Sequence, residues 1–372
     1  MPRMQDHALE SLTDAVRHAA AHGTPLRLCG GQTKNFWGHS LEGEPLSTRA
    51  LSGIVSYEPS ELVVTVRAGT PLAQLETVLA EHGQCLPFEP PHFGERGLGT
   101  VGGMVAAGWS GPARASVGAV RDYVLGLTLL NGRGELLTFG GQVMKNVAGY
   151  DVSRLMAGAW GTLGLITEVS LKVLPLAPAE ATLRLACSQT QALNWLHAWG
   201  GQPLPLNASC WIEEGGTGVL YLRLRGAVAA VEAACRKLGG ERQADAGADW
   251  QACRDQQLPW FADMPADHSL WRLSLPQTAP VLALPPGVAA PLVEWHGGLR
   301  WVQARTEHAE ALHQLALRLG GHAHLFRHGV GVVLNELPHA ELPPPLDRIH
   351  QRLKAEFDPA GLFNRGRLIP GL

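Results

Sequence analysis

The sequence predicts an α+β protein of two domains, and three observations carry that reading. Short β-branched segments outnumber helical ones and pair as hairpins, without the strand–helix–strand rhythm of a parallel sheet. Glycine clusters stand next to strands in the first half of the chain. At LPLAPAEAT (174–182) two prolines and a shift in composition mark a boundary near residue 178. The expected organisation is residues 1–178, residues 179–340, and a tail, 341–372, that returns to the first domain.

Composition bounds the function classes. The chain has 372 residues, 45% hydrophobic and 17% charged, enough to bury a sizeable core. A net charge of −3 leaves no electrostatic footprint for nucleic acid or an anionic membrane. The six cysteines are scattered and form no CxxC, which argues against zinc or iron–sulfur ligation. They read as buried reduced thiols. The N-terminus, MPRMQDHALESLTDAVRHAA, has no apolar core of a signal peptide, and no apolar run reaches ~18 residues. The expected location is the cytoplasm, with peripheral attachment to the inner membrane through a complex left open.

The elements follow in order. Residues 8–22 have helical periodicity, with Leu12, Ala15, Val16, Ala19 and Ala20 on one face and Gly23 as the stop. LRLC (26–29) is a strand that runs into GGQTKNFWG. Ile54–Tyr57 and Leu62–Ala68 are strands around the turn Pro59-Ser60. Thr70 is placed to cap a helix with Pro71 in its first turn and Leu72, Leu75, Val78 and Leu79 on its buried stripe. Residues 120–141 read as two strands joined by a tight Asn131-Gly132 turn. KNVAGYDVSRLMAGAWGTLG (145–164) suggests a short helix entering a glycine cluster, and LITEVSLKVLPLAP (165–178) a closing strand.

The second region alternates strands (TLRLAC, GVLYLRLRG, SLWRLSLP) with helices (TQALNWLHAWG, AVAAVEAACRKLG, RTEHAEALHQLALRLGG), which suits a smaller ferredoxin-like α+β cap over a ligand. Eight of the eleven tryptophans lie here, as core or as an exposed aromatic interface. No internal repeat is visible.

Three glycine segments carry the chemistry. In GGQTKNFWG (30–38) two glycines free the backbone, Thr33 adds a hydroxyl and Lys34 a charge. Successive N–H groups there make either a pyrophosphate nest or a plain turn. GGQTKNFWG matches neither G-x-x-x-x-G-K-[ST] nor G-x-G-x-x-G. LGTVGGMVAAGWSG (98–111) holds five glycines, but its filling is Val, Ala, Met and Trp, not the polar filling of a linker. Buried glycine backbone is either tightly packed on itself or closely approached by a flat ligand. AGAWGTLGLIT (157–167) is the third segment, ahead of a strand.

In this order the segments resemble the vanillyl-alcohol-oxidase, or PCMH-type, FAD-binding flavoproteins. IVSYEPSELVVTVRAGTPLAQLETVLAEHG, GTVGGMVAAGWSG, GAVRDYVLGLTLLNGRGELLTFGG and KNVAGYDVSRLMAGAWGTLGLITEVSLKVLP match successive family segments over the first half. The tail FDPAGLFNRGRL resembles the family ending F-D-P-x-x-x-F-N-P-G-[KR], with Arg365 in place of the usual proline. The resemblance implies FAD held between two α+β subdomains. By position it implies Gly30, Gly31, Gln32, Thr33 and Lys34 at the diphosphate. Gly99, Thr100, Val101, Gly102 and Gly103 line the diphosphate and ring, and Gly108 and Gly111 let the isoalloxazine approach. Gly161, Gly164, Ile166 and Thr167 complete the adenine side, and Asn364 reaches the flavin from the tail. Gln32 occupies the loop in which covalent members carry His, and no Cys falls between residues 86 and 186, so the implied FAD is non-covalent.

Relatives that oxidise D-2-hydroxy acids carry H-x-G-D-G-N, which is absent here. The nearest segment, GGHAHLFRHG, holds His322, His324 and His328, as a metal chelate or as solvated histidines. The catalytic base is not identified. The short second region and the missing segment resemble the FAD-binding subunits of bacterial glycolate oxidase complexes. That resemblance implies oxidation of glycolate to glyoxylate alongside a larger, catalytic FAD-linked subunit and an iron–sulfur subunit. A stand-alone FAD-dependent 2-hydroxy-acid or alcohol oxidoreductase, and a non-catalytic FAD-bound assembly subunit, are the alternatives.

Overall fold

A computed structural model describes residues 7–39, 42–95, 97–141, 151–332 and 344–369. The part of the expected 145–164 helix before residue 151 lies outside these. The chain divides into two compact units. The first comprises Met1–Trp109, Ala119–Pro175 and Glu341–Leu372, and the second Ser110–Gly118 and Leu176–Ala340.

In the first unit α1 (His7–His22) buries Leu12, Val16 and Ala19 and stops at Gly23, where φ is +68°. β1 (Leu26–Cys29) pairs in parallel with β2 (Glu44–Ser47). β3 (Ile54–Glu58) and β4 (Val63–Arg67) form the first hairpin. Helix α2 (Leu72–Glu81) follows, then the short β5 (Gln84–Cys85) and helix α3 (Val101–Ala107). The one-turn α4 (Arg114–Val117) belongs to the second unit. After α5 (Val120–Tyr123) come β6 (Val124–Leu130), β7 (Leu136–Gly140), α6 (Val152–Leu155), β8 (Leu165–Lys172) and β9 (Leu174–Pro175). The five-stranded antiparallel sheet has the order β3-β4-β8-β6-β7.

α2 and α3 bury Leu72, Leu75, Leu79, Val101, Met104 and Val105 with Val64, Val66, Val169 and Leu171 of the sheet. This apolar layer makes α3 a fixed platform.

Two local expectations change. Thr70 does not cap α2. Its hydroxyl bonds Gly53 instead, and the Leu72 N–H at the start of α2 donates to the Gly99 carbonyl. The Asn131-Gly132 connection is not a two-residue turn. Residues 131–135 form a longer loop, with Asn131 Oδ1 accepting the N–H groups of Arg133 and Glu135. An Asn side chain that satisfies two loop amides removes the need for the tighter turn.

In the second unit β10 (Ala179–Ala186), α7 (Gln189–Gly200), β11 (Leu206–Glu214), β12 (Thr217–Gly226), α8 (Val228–Leu238) and β13 (Glu241–Gln243) form a βαββαβ half. Helices α9 (Gly247–Arg254) and α10 (Pro259–Ala262) lead to the other half. It is built from β14 (Ser269–Ser274), β15 (Leu292–Glu294), β16 (Leu299–Ala304), α11 (Ala309–Arg318) and β17 (His322–Arg327). The eight strands make one sheet in the order β13-β10-β12-β11-β15-β16-β14-β17. Each half thus orders its strands fourth, first, third, second, and the halves meet where β11 pairs with β15. The duplication is one of topology and leaves no repeat in the sequence.

The tryptophans here are core. Trp211, Trp250, Trp271, Trp295 and Trp301 are buried, and Trp195, Trp199 and Trp260 are half-buried. The exposed aromatic interface is not what these residues build. Helix α12 (Pro344–Phe357) and the tail return to the first unit, where Leu362 and Phe363 pack with Leu12, Val16 and Leu26. No helix among the described residues is long and apolar enough to cross a membrane.

Candidate functional site

The three glycine segments meet around α3. Thr100 caps this helix, its hydroxyl accepting the Gly103 N–H at 3.2 Å, and Gly108 ends it at φ +66°. A short polar cap followed by small residues gives a helix whose flanks others can approach. The loop 30–34 lies against its start: a Cβ on Gly31 would fall on the Leu98 carbonyl, and one on Gly30 on the Thr100 hydroxyl. The turn at 158–160 lies against its other half, with Gly158 N–H donating to Val105 O (3.1 Å) and Trp160 N–H to Ala106 O (2.9 Å).

The tail closes the arrangement. Asn364 Oδ1 accepts the Leu28 N–H (2.8 Å), and its Nδ2 donates to Trp160 O (2.7 Å). Arg367, buried, donates to Lys34 O (3.1 Å) and His39 O (2.9 Å), with its guanidinium 5.3 Å from the Trp160 ring centroid. Trp160 stacks on Trp37 at 4.2 Å and meets Trp109 edge-on at 5.0 Å.

Between these segments lies a groove that opens to solvent. Of the residues expected at a ligand, Gly30, Gly31, Gln32, Thr33, Lys34, Thr100, Gly102, Gly103, Gly161, Gly164, Ile166 and Asn364 line it. Gly99, Val101, Gly108, Gly111 and Thr167 do not. Val101 is fully buried in the core, and Gly108 abuts Gly158. Gly111 belongs to the second unit, where its carbonyl accepts Trp295 Nε1–H. The Thr167 hydroxyl donates to Thr128 O. Asn364 lines the groove while its amide bridges the backbone of Leu28 and Trp160. Arg367 and Trp160 are lining residues that sequence reasoning missed. Arg367 stands at the [KR] position of the tail motif, so the signal was there.

The groove's chemistry is cationic and donor-rich. Gln32 takes φ +56°, and the N–H groups of Gly31, Gln32, Thr33 and Lys34 meet no acceptor among the described residues. Lys34 is half-buried, and desolvation draws its ammonium down to about 8. Its neighbour is the Thr33 hydroxyl at 3.5 Å. Burial likewise lowers Arg367, to about 10. Neither forms an ion pair with a carboxylate among the described residues. Desolvated cations beside open N–H groups fit an anionic diphosphate. The α3 N-terminus adds little, because Val101, Gly102 and Gly103 donate to Thr70 O, Ala68 O and Thr100 Oγ1. Cys29 also lines the groove; burial pushes its thiol up, away from a reactive thiolate.

In the second unit His322 and His324 stand on β17 with ring centroids 4.8 Å apart. Both are exposed, and partial desolvation together with the positive charge of Arg272 lowers both. No group of three potential metal ligands occurs among the described residues.

Residues 7–140 match the FAD binding domain family. Over 363 residues the chain is 45% identical to glycolate oxidase subunit GlcE of Escherichia coli (strain K12), covering 98% of each chain. It is 31% identical over 185 residues to glycolate oxidase subunit GlcD of Bacillus subtilis (strain 168), which is 49% of this chain and 38% of that one. Alkyldihydroxyacetonephosphate synthase has a similar fold, with a TM-score of 0.64 at 16% identity over 95% of this chain and 75% of its own.

Proposed function

The chain belongs to the family of glycolate oxidase GlcE subunits, and from that premise we propose that it holds FAD in the groove around α3 and works within glycolate oxidase, oxidising glycolate to glyoxylate. The observation that carries the reading is the groove itself. Three glycine segments and the tail enclose two desolvated cations, Lys34 and Arg367, that no carboxylate among the described residues compensates. FAD brings the diphosphate that would neutralise them. Bound FAD supplies a two-electron acceptor for the hydroxyl-bearing carbon.

This chain's residues provide positioning. The loop 30–34 takes the diphosphate, and small residues on α3 leave room along the groove. Trp160 supports one wall. The chain is an FAD-binding subunit of a multi-subunit oxidoreductase; its share of the chemistry is the finer proposal. We assign glycolate oxidation jointly to this chain and a larger FAD-linked subunit of the GlcD type. Onward electron transfer goes to an iron–sulfur subunit, since the cysteines described here are dispersed free thiols. The complex is proposed to act in the cytoplasm, at the inner membrane surface.

Expression of the full chain alone and with its two proposed partners tests this. The lone chain should purify yellow and reduce no dye with glycolate, and the three-subunit assembly should reduce dye. A colourless chain that takes up no added FAD refutes the cofactor site. Full glycolate turnover by the lone chain refutes the shared assignment.

A further inference from the structure

We infer that Arg367 is a second cationic ligand of the FAD diphosphate, contributed by the C-terminal tail beside Lys34. The inference rests on the FAD reading above and adds a residue to it.

Arg367 is 5% exposed and lines the groove. Of its five N–H groups, one on each Nη reaches a carbonyl, of His39 and of Lys34. The other three meet no acceptor among the described residues. Trp160 packs against the guanidinium and restricts its swing. A guanidinium this nearly buried, with no countercharge, is costly to fold. An anionic oxygen in the adjoining groove would remove that cost.

The alternatives at the site are weak. The first three N–H groups of α3 already have protein acceptors. Lys34 is one point charge, against the two negative charges of a diphosphate. Arg367 supplies the second, and its planar fork suits phosphate oxygens better than an ammonium does. The competing role is fastening: Arg367 holds the carbonyls of residues 34 and 39 and merely shapes the loop.

The two roles separate by ligand. Full-length chain freed of flavin is titrated with ADP and with adenosine, which lacks the diphosphate. Wild type is compared with Arg367→Met and Arg367→Lys, and melting temperatures are recorded alongside. Arg367→Met is expected to weaken ADP about tenfold or more and to leave adenosine unchanged. Arg367→Lys, which keeps the charge but loses the fork, should weaken ADP less than Arg367→Met does and should also leave adenosine unchanged. Equal loss of ADP and adenosine in Arg367→Met, or no loss of either, overturns the inference in favour of fastening. If Arg367→Met does not fold, Arg367→Lys decides. A folded lysine variant that loses ADP and adenosine alike, or loses neither, overturns it, and one whose loss is confined to ADP upholds it. Wild type that binds neither ADP nor FAD brings down the FAD reading itself, a result distinct from failure at Arg367 alone.

Discussion

Lys354 Nζ lies 2.8 Å from Asp358 Oδ2, and both residues are buried where α12 gives way to the tail. The same ammonium donates to Thr162 O (2.7 Å) and Phe363 O (2.8 Å), so all three of its protons are used. Asp358 also accepts the N–H groups of Leu362 and Phe363. One ion pair therefore ties the last helix, the tail and the turn after Trp160. Breaking a buried pair from one side leaves a charge without compensation. Lys354→Met should cost about 3–5 kcal/mol, read as a lower urea midpoint for the flavin-bearing transition. An unchanged midpoint would contradict the knot.

Gly31 has no room for a side chain. Its added Cβ would fall on the Leu98 carbonyl, which is backbone and cannot rotate aside. Gly31→Ala should therefore push the loop 30–34 off the start of α3. Overpacking of this kind costs about 1–3 kcal/mol, and FAD affinity should fall with it. Gly200→Ala is the control, since nothing lies within 4 Å of that Cβ. It should bind FAD as wild type does. Equal FAD affinity in the two variants would show that the loop is not seated as described.

What the sequence disclosed depended on how local the cause was. The stripes of α1 and α2 and the strands β3, β4, β6 and β8 were readable, because periodicity and β-branching act within a few residues. The burial of residues 98–111 was readable from their apolar filling, but the helix α3 inside them was not. Two adjacent glycines argue against a helix, and Thr100 as cap with packing on Ala68 overrides that propensity. The order within the eight-stranded sheet was hidden, since pairing between β11 and β15 is fixed by contacts far apart in sequence. At the site, the loop 30–34 could be picked out because it holds a charge and two glycines together. Arg367 is marked by the tail motif, but its place at the groove is set by Lys34, His39 and Trp160, which are distant in the chain.

Asn364 tests whether the tail acts on the groove indirectly. Its amide bridges β1 and the turn at Trp160, accepting from Leu28 N–H and donating to Trp160 O. Asn364→Asp keeps the acceptor but sets a carboxylate oxygen against the Trp160 carbonyl. It also brings a negative charge to the groove. Melting temperature and FAD affinity should both fall. Asn364→Leu loses both bonds without adding charge, so its loss of FAD affinity should be smaller relative to its loss of stability. If Asn364→Asp weakens FAD no more than Asn364→Leu does at matched stability, the groove does not discriminate charge at this position.

Placed at the proposed diphosphate site, Lys34 should make FAD binding dependent on pH. Burial draws its ammonium to about 8 in the flavin-free chain, below the ordinary lysine value. Between about 8 and that ordinary value the unfolded chain binds more protons than the folded one. The flavin-free protein therefore gains stability as pH rises through this window. Below about 8 the cost of the buried charge is present in full. FAD reverses the balance, because a diphosphate beside Lys34 favours its charged form and binding takes up a proton. FAD affinity should be level below about pH 8 and fall above it, by up to about tenfold per pH unit. Lys34→Met should bind FAD more weakly at pH 7 and show no fall between pH 8 and 9.5. Titration calorimetry in two buffers of different ionisation heat measures the proton taken up. A wild-type affinity that stays constant to pH 9.5 would remove Lys34 from the diphosphate site.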